Sequence, residues 1–240
     1  MIRYPVKRVA MKTIGIIGGM SWESTLSYYR LINQKVNAKL GGLHSAKILL
    51  NSIDFADIEP LQRQGDWQQA GHLLANAARA LESAGADGVL IATNTMHKVA
   101  PAVADAITVP VLHIVDATAA AIRQRGIRKV GLLGTRFTME EDFYRHRLEQ
   151  QELDVLTPAT DVRQQVHDII FNELCHGITS EPSKQVYLEA IEALAERGAE
   201  AVILGCTEIG LLVSQNDSRL PLFDTTEVHA EAAVKWALEG

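Results

Sequence analysis

The sequence is poor in the residues that would tie it to a metal, a redox framework or a membrane. Cysteine occurs twice, at Cys175 and Cys206. Two thiols so far apart in a chain of 240 residues do not make a disulfide framework, and a reducing, cytoplasmic setting is the expectation. Cys-x-x-Cys and His-Glu-x-x-His are both missing, so no metal site is predicted. No apolar run reaches the roughly 18 residues of a spanning helix, and a membrane partner is not expected. The 23 basic and 29 acidic residues leave a formal net charge of −6 and are mixed throughout. Without a basic stripe, nucleic acid is not an expected partner either. The opening MIRYPVKRVA is basic but lacks the apolar stretch of a secretory signal, and residues 1–10 are read as an extension outside the fold. Nucleotide fingerprints are missing too. GIIGG and GLLGT follow strands, yet neither has Gly-x-Gly-x-x-Gly spacing or a following Gly-Lys-Ser/Thr.

What is present is an ordinary globular composition, 47% apolar and 22% charged, arranged as alternating strands and helices. Buried strands are predicted at KTIGIIGG (12–19), AKILLNSID (46–54), GVLIAT (88–93), VPVLHIVD (109–116) and KVGLLGT (129–135). Helical spacing is read over 24–39, 67–84, 117–125 and 166–176. Strands separated by helical stretches imply right-handed βαβ units and parallel sheets, hence an α/β fold.

The chain also repeats itself. LESAGADGVLIATNT (81–95) lies on LAERGAEAVILGCTE (194–208) without a gap, matching Leu81 to Leu194, Gly85 to Gly198 and Val89 to Val202. GIIGG (15–19) matches GLLGT (131–135) in the same order. The expectation is two similar parallel-sheet domains related by a pseudo-two-fold duplication, with the active site in the cleft between them. Residues 11–112 with 213–240 would form the first domain and 113–212 the second.

The alignment places Thr93 on Cys206, each at the C-terminal end of a buried strand, where open α/β sheets bind ligands. Four such ends carry polar residues: Gly18-Gly19-Met20-Ser21, Thr93-Asn94-Thr95, Gly134-Thr135 and Cys206-Thr207-Glu208. Free backbone N–H groups at strand-to-helix turns bind anions. Cys206 is the candidate reacting group, because a thiol at a helix N-terminus has a depressed pKa. Cys175, on the expected amphipathic helix, is read as structural. His97, His113 and His229 are read as orienting residues rather than as ligands or bases.

The motifs Gly-Gly-Met-Ser-Trp-Glu-Ser-Thr (18–25) with Tyr28-Tyr29, Asn94-Thr95-Met96-His97, Gly205-Cys206-Thr207-Glu208, and Asp224-Thr225 with His229 resemble the aspartate/glutamate racemases. The likeness runs from about Met11 to the C-terminus. It is nearest to the L-aspartate/glutamate-specific or broad-specificity amino-acid racemase branch. The resemblance implies two similar α/β domains, no pyridoxal phosphate, no metal, a homodimer, and a small amino-acid or dicarboxylate substrate. It implies two cysteines acting as acid and base on opposite faces of the α-carbon. The second matches Cys206; the first falls on Thr93. Met20, Asn94, Thr95, Thr135, Thr207 and Glu208 match substrate-holding positions, and Gln62, in the stretch Gln-Arg-Gln-Gly-Asp-Trp, is a weaker match.

The threonine has a chemical consequence. A hydroxyl can protonate a carbanion but is a poor base. A resting enzyme with Cys206 as thiolate and Thr93 as OH is ready for the enantiomer whose α-hydrogen faces Cys206, which the resemblance places on the L side. Turnover from L to D is therefore expected to have the larger kcat. Arg63, Lys98, Arg136 and Arg163 are available to read an acidic side chain, and none is singled out by spacing. Two other readings stay open. One is a decarboxylase or isomerase of the same superfamily, which can work with a single cysteine. The other is a non-catalytic amino-acid-binding descendant, for which loss of the first cysteine would be a natural mark.

Overall fold

The computed structural model describes residues 10–239; of the extension expected at 1–10, residues 1–9 lie outside the described residues. Two four-stranded parallel sheets make the frame. The first contains β1 (Ile14–Gly18), β2 (Ile48–Ser52), β3 (Gly88–Ile91) and β4 (Val111–Leu112), in the order β2-β1-β3-β4. The second contains β5 (Lys129–Gly134), β6 (Asp154–Leu156), β7 (Ala201–Gly205) and β8 (Leu222–Asp224), in the order β6-β5-β7-β8. The same order recurs, and so does the register. Ile14 pairs with Gly88 across β1 and β3, and Val130 pairs with Ala201 across β5 and β7. These are the positions that the two internal sequence matches superimpose.

Helices cover both sheets. In the first unit they are α1 (Trp22–Leu40), α2 (Phe55–Gln64), α3 (Trp67–Ser83) and α4 (Ala100–Ala104). Next come α5 (Ile114–Gln124), α6 (Arg136–Glu140), α7 (Asp142–Glu149), α8 (Thr160–Asn172) and α9 (Glu181–Glu196), and α10 (Thr225–Leu238) follows β8. One face of the first sheet packs Ile17, Val89 and Ile91 against Leu74, Ala78 and Leu81 of α3. The other face packs Ile14 and Ile16 against Tyr28 and Ile32 of α1 and Ala233 and Val234 of α10. The second sheet has one continuous core through Leu132, Ile203, Ile170, Tyr187 and Ile122. These clusters hold large aliphatic side chains at or near zero exposure, each contributing roughly 1.5–3 kcal/mol.

Three expectations need correction. The strand over 109–116 shrinks to Val111–Leu112, because His113 caps α5: its Nδ1 accepts the Val115 N–H at 3.2 Å, and Ile114 onward is helical. The helix over 166–176 is α8 followed by a separate 3-10 turn, Leu174–His176. The stretch 213–240 does not return whole to the first unit. β8 pairs with β7 and completes the second sheet, and only α10 packs back onto β1 and α1. Several helices lie outside the four expected ranges, among them α2, α6, α7 and α10; Asp54 caps α2 by accepting the Ala56 N–H at 3.0 Å. Among the described residues no helix is long and apolar enough to cross a membrane.

Candidate active site

The C-terminal ends of β1, β3, β5 and β7 converge on one cavity between the two units. Gly19 lets the β1 turn fold back on the chain. Its φ is +92°, and a Cβ there would lie 1.9 Å from the Ile53 carbonyl oxygen. Met20, Thr93, Asn94, Thr95, Thr135, Gly205, Cys206 and Glu208 line the cavity from these ends. Gln62 reaches it from α2. Thr207 is buried beside the cavity without lining it. The cavity measures about 20 Å³, room for roughly one water and far too little for an amino acid. The two units must therefore separate to admit a substrate.

Hydrogen bonds hold the closed arrangement. Ser21 Oγ donates to Glu208 Oε1 at 2.6 Å, joining the end of β1 to the end of β7. Thr95 and Thr135 share a hydroxyl–hydroxyl bond of 3.0 Å across the cleft. Tyr144 OH donates to Asn94 Oδ1 at 3.0 Å, and Asn94 Nδ2 donates to Thr225 Oγ1 at 3.0 Å. Each such bond contributes roughly 0.5–1.5 kcal/mol net, so the contacts can exchange for a substrate's carboxylate and amine.

Glu208 is the electrostatic centre. It is buried and accepts three hydrogen bonds, from Ser21 Oγ, from Cys206 Sγ at 3.0 Å and from Thr207 Oγ1 at 2.6 Å. This corrects the expectation of a resting thiolate. Burial pushes the Cys206 thiol well above its ordinary value, and the Glu208 carboxylate adds to the rise. The helix dipole expected to oppose them is slight, since only a 3-10 turn of three residues, Ile209–Leu211, follows. In the closed site Cys206 is a thiol hydrogen-bonded to a carboxylate.

A cluster of histidines supports the Thr93 turn from behind. His97 donates from Nδ1 to the Thr93 carbonyl oxygen at 2.8 Å and accepts the Ile114 N–H at Nε2 across 3.2 Å. His229 donates from Nε2 to the Leu112 carbonyl oxygen and accepts from Tyr28 OH at Nδ1, both at 2.8 Å. The rings of His97 and His113 lie 4.5 Å apart, and those of His97 and His229 5.8 Å apart. None of the three lines the cavity.

The four candidate cations are engaged elsewhere. Arg63 lies on the surface near Glu59, and Lys98 pairs with Glu141 over the Trp67 ring. Arg136 meets Gln164, and Arg163 meets Glu140. Conversely, sequence reasoning missed part of the wall. Phe55 comes from α2, Ile170 and Phe171 from α8, and Cys175 from the turn after it. Cys175 is thus not a remote structural residue but shares the cavity with Cys206. Burial and Glu208 push its thiol up to about 12. Among the described residues, no cluster of three or more His, Cys, Asp or Glu side chains is placed to hold a metal ion.

Residues 17–233 match the family model described as Asp/Glu/Hydantoin racemase. The chain belongs to that racemase family. A crystal structure from Yersinia pestis, provisionally described as an Asp/Glu racemase, superimposes with a TM-score of 0.90 at 56% identity, covering 95% of this chain and 100% of that one. An aspartate racemase homologue from Pyrococcus horikoshii OT3 gives a TM-score of 0.84 at 38% identity over 95% of this chain and 100% of its own. The broad-specificity amino-acid racemase RacX of Bacillus subtilis is 26% identical over 92% of this chain and 96% of its own. The racemase described here therefore has the α/β frame of its relatives, with a threonine and a thiol at equivalent strand ends.

Proposed function

We propose that this racemase inverts the α-carbon of a small L-amino acid of the aspartate/glutamate type by two-residue proton transfer. One observation carries the reading: Thr93 and Cys206 stand at equivalent ends of β3 and β7 and line the same closed cavity. Substrate enters when the cleft opens. Its α-carboxylate takes up the Thr95 and Thr135 hydroxyls and the backbone N–H groups of the turns, which stabilise the charge developing on deprotonation. The Cys206 proton passes to Glu208, and the resulting thiolate removes the α-hydrogen from one face. Thr93 delivers its hydroxyl proton to the opposite face and regains one from water when the site opens. Net, Cys206 ends as a thiol, Glu208 carries the proton it received, and release to solvent restores the carboxylate.

A side-chain carboxylate would be held by neutral donors such as the Gln62 amide, since no Lys or Arg among the described residues lines the cavity. The two thiols in one cavity favour a reducing compartment such as the cytoplasm. Because a hydroxyl is a poor base, the L-to-D direction has the larger kcat, while kcat/KM stays equal in both directions, as an equilibrium constant of one demands. The test is α-hydrogen exchange in deuterated buffer with L- and D-aspartate, glutamate and other amino acids, and chiral analysis of the products. L-substrate should exchange much faster than D-substrate at saturation. Equal rates would sink the asymmetry, and no exchange with any amino acid would sink the racemase reading.

A further inference from the structure

Thr93 is held by its backbone and not by its side chain. Among the described residues its hydroxyl has no hydrogen-bond partner, whereas Cys206 Sγ is bonded to Glu208. The direction of Thr93 Oγ1 is therefore set by the two peptide planes that flank it. β3 ends at Ile91, and the Ala92 N–H makes a last bond to β1, at the Ile17 carbonyl oxygen across 2.9 Å. Past that point side chains take over the two carbonyls. Ser24 Oγ, in the first turn of α1, donates to the Ala92 carbonyl oxygen at 2.7 Å, and His97 Nδ1 donates to the Thr93 carbonyl oxygen at 2.8 Å. Both donors are buried, so removing either leaves an acceptor unpaired away from water. The His97 proton is fixed on Nδ1 because Nε2 accepts the Ile114 N–H. Burial and the neighbouring His113 and His229 rings keep the imidazole neutral, as that acceptor role requires. Ile114 belongs to the core of the second sheet, so His97 ties the Thr93 turn to that unit while Ser24 ties it to α1.

We propose that Ser24 and His97 are positioning residues that aim the Thr93 hydroxyl at the substrate's α-carbon and so decide whether a deprotonated substrate inverts. The inference rests on the two-residue proton transfer proposed above. Once Cys206 has taken the α-hydrogen, the carbanion has two fates. A proton from Thr93 Oγ1 forms the new C–H bond on the opposite face, and the alkoxide left behind regains its proton from water. A proton from Cys206 instead restores the starting enantiomer. In deuterated water the second fate is visible as well. Cys206, Ser21 and Thr207 all bond to Glu208, so the proton taken from the substrate mixes with the deuterons that these groups carry. A misaimed Thr93 leaves proton abstraction by Cys206 intact and diverts the carbanion from inversion to labelled retention.

Chiral separation with mass spectrometry of L-aspartate or L-glutamate incubated in deuterated buffer tests this, with circular dichroism to confirm folding. The readout is the initial rate of deuterium-labelled L-substrate divided by that of D-product. His97→Leu and Ser24→Ala each remove one donor and should raise this ratio by roughly tenfold or more, the scale of loss from a small misplacement of a reacting group. His97→Asn, whose amide N–H can stand where Nδ1–H stood, should return the ratio toward the wild-type value. His229→Gln removes a neighbouring buried imidazole that does not bond to Thr93 and should leave the ratio unchanged. A ratio unchanged in the donor variants, with both rates falling together, overturns the proposal, as does an equal rise in His229→Gln. Failure of His97→Asn to rescue overturns the role of the Nδ1–H bond. Ser24→Ala alone decides if His97→Leu does not fold. A wild type that exchanges no α-hydrogen overturns instead the racemase reading beneath.

Discussion

Cys206 Sγ donates to Glu208 Oε2 across 3.0 Å, so the candidate base is stored as a thiol beside its own proton acceptor. The carboxylate that raises the thiol's pKa is, in the proposed mechanism, also the group that takes its proton. Glu208→Gln separates these roles. The thiol pKa should fall, because the raising charge is gone, and the pH midpoint for alkylation of Cys206 should move down. Racemisation should fall by roughly 10²-fold or more, mostly in kcat, because a proton acceptor is lost. If the alkylation midpoint fell while turnover was retained, Glu208 would not be that acceptor.

Thr93→Cys replaces a poor base with a competent one on the other face. The kcat for D-substrate should rise by roughly tenfold or more, while the kcat for L-substrate changes less. Exchange of the D-enantiomer's α-hydrogen reads this directly. An unchanged D-rate would place the second proton donor somewhere other than Thr93.

Acid should weaken the fold through the buried histidines. Burial pushes His229 down to about 4, and burial with the nearby Arg147 pushes His113 down to about 3. His97 is lowered by burial and by the two neighbouring rings. Above the ordinary value of about 6.5, folded and unfolded chains both carry neutral imidazoles, and stability does not depend on these groups. Below it, the unfolded chain takes up protons that the folded chain refuses until the folded values are reached. Stability should then fall by up to ~1.4 kcal/mol per pH unit for each imidazole. Urea midpoints measured from pH 7 to pH 5 should decline, and less steeply in His229→Gln. A flat wild-type profile would contradict the neutral cluster.

Gly19→Ala should cost at least about 2 kcal/mol, since it combines a positive φ with a clash against the Ile53 backbone. Gly41→Ala is the control. Its φ is +73°, but nothing lies within 4 Å of its Cβ position, so only the conformational cost remains. Urea denaturation of both variants checks the difference, and equal losses would mean that the close approach at Gly19 relaxes easily.

Much of the site was legible because the chain repeats its own strand ends. The matches that align Thr93 with Cys206 are the positions that share a register in the two sheets. Walls built from helices left no comparable trace. Pro60 inside α2 speaks against a helix, and that concealed the element carrying Phe55 and Gln62. Cys175 looked structural because its place in the cavity depends on a 3-10 turn after α8, which periodicity does not reveal. The thiol's protonation was misjudged for a related reason. A strand end suggests a helix dipole, but the polarity around Cys206 comes from Glu208, two residues on, and from burial by distant elements. The short β4 shows the same competition, with an apolar run read as strand and claimed instead by a helix cap at His113.

The packing of α10 also orders events during synthesis. Ala230, Ala233, Val234 and Ala237 close the face of the first sheet formed by Ile14, Ile16, Tyr28 and Ile32, yet they leave the ribosome after all eight strands. The second unit can thus bury its core while the first still shows an open apolar face. The nascent chain spends that interval as a finished half attached to an unfinished one, and the N-terminal half is the one that needs protection from aggregation.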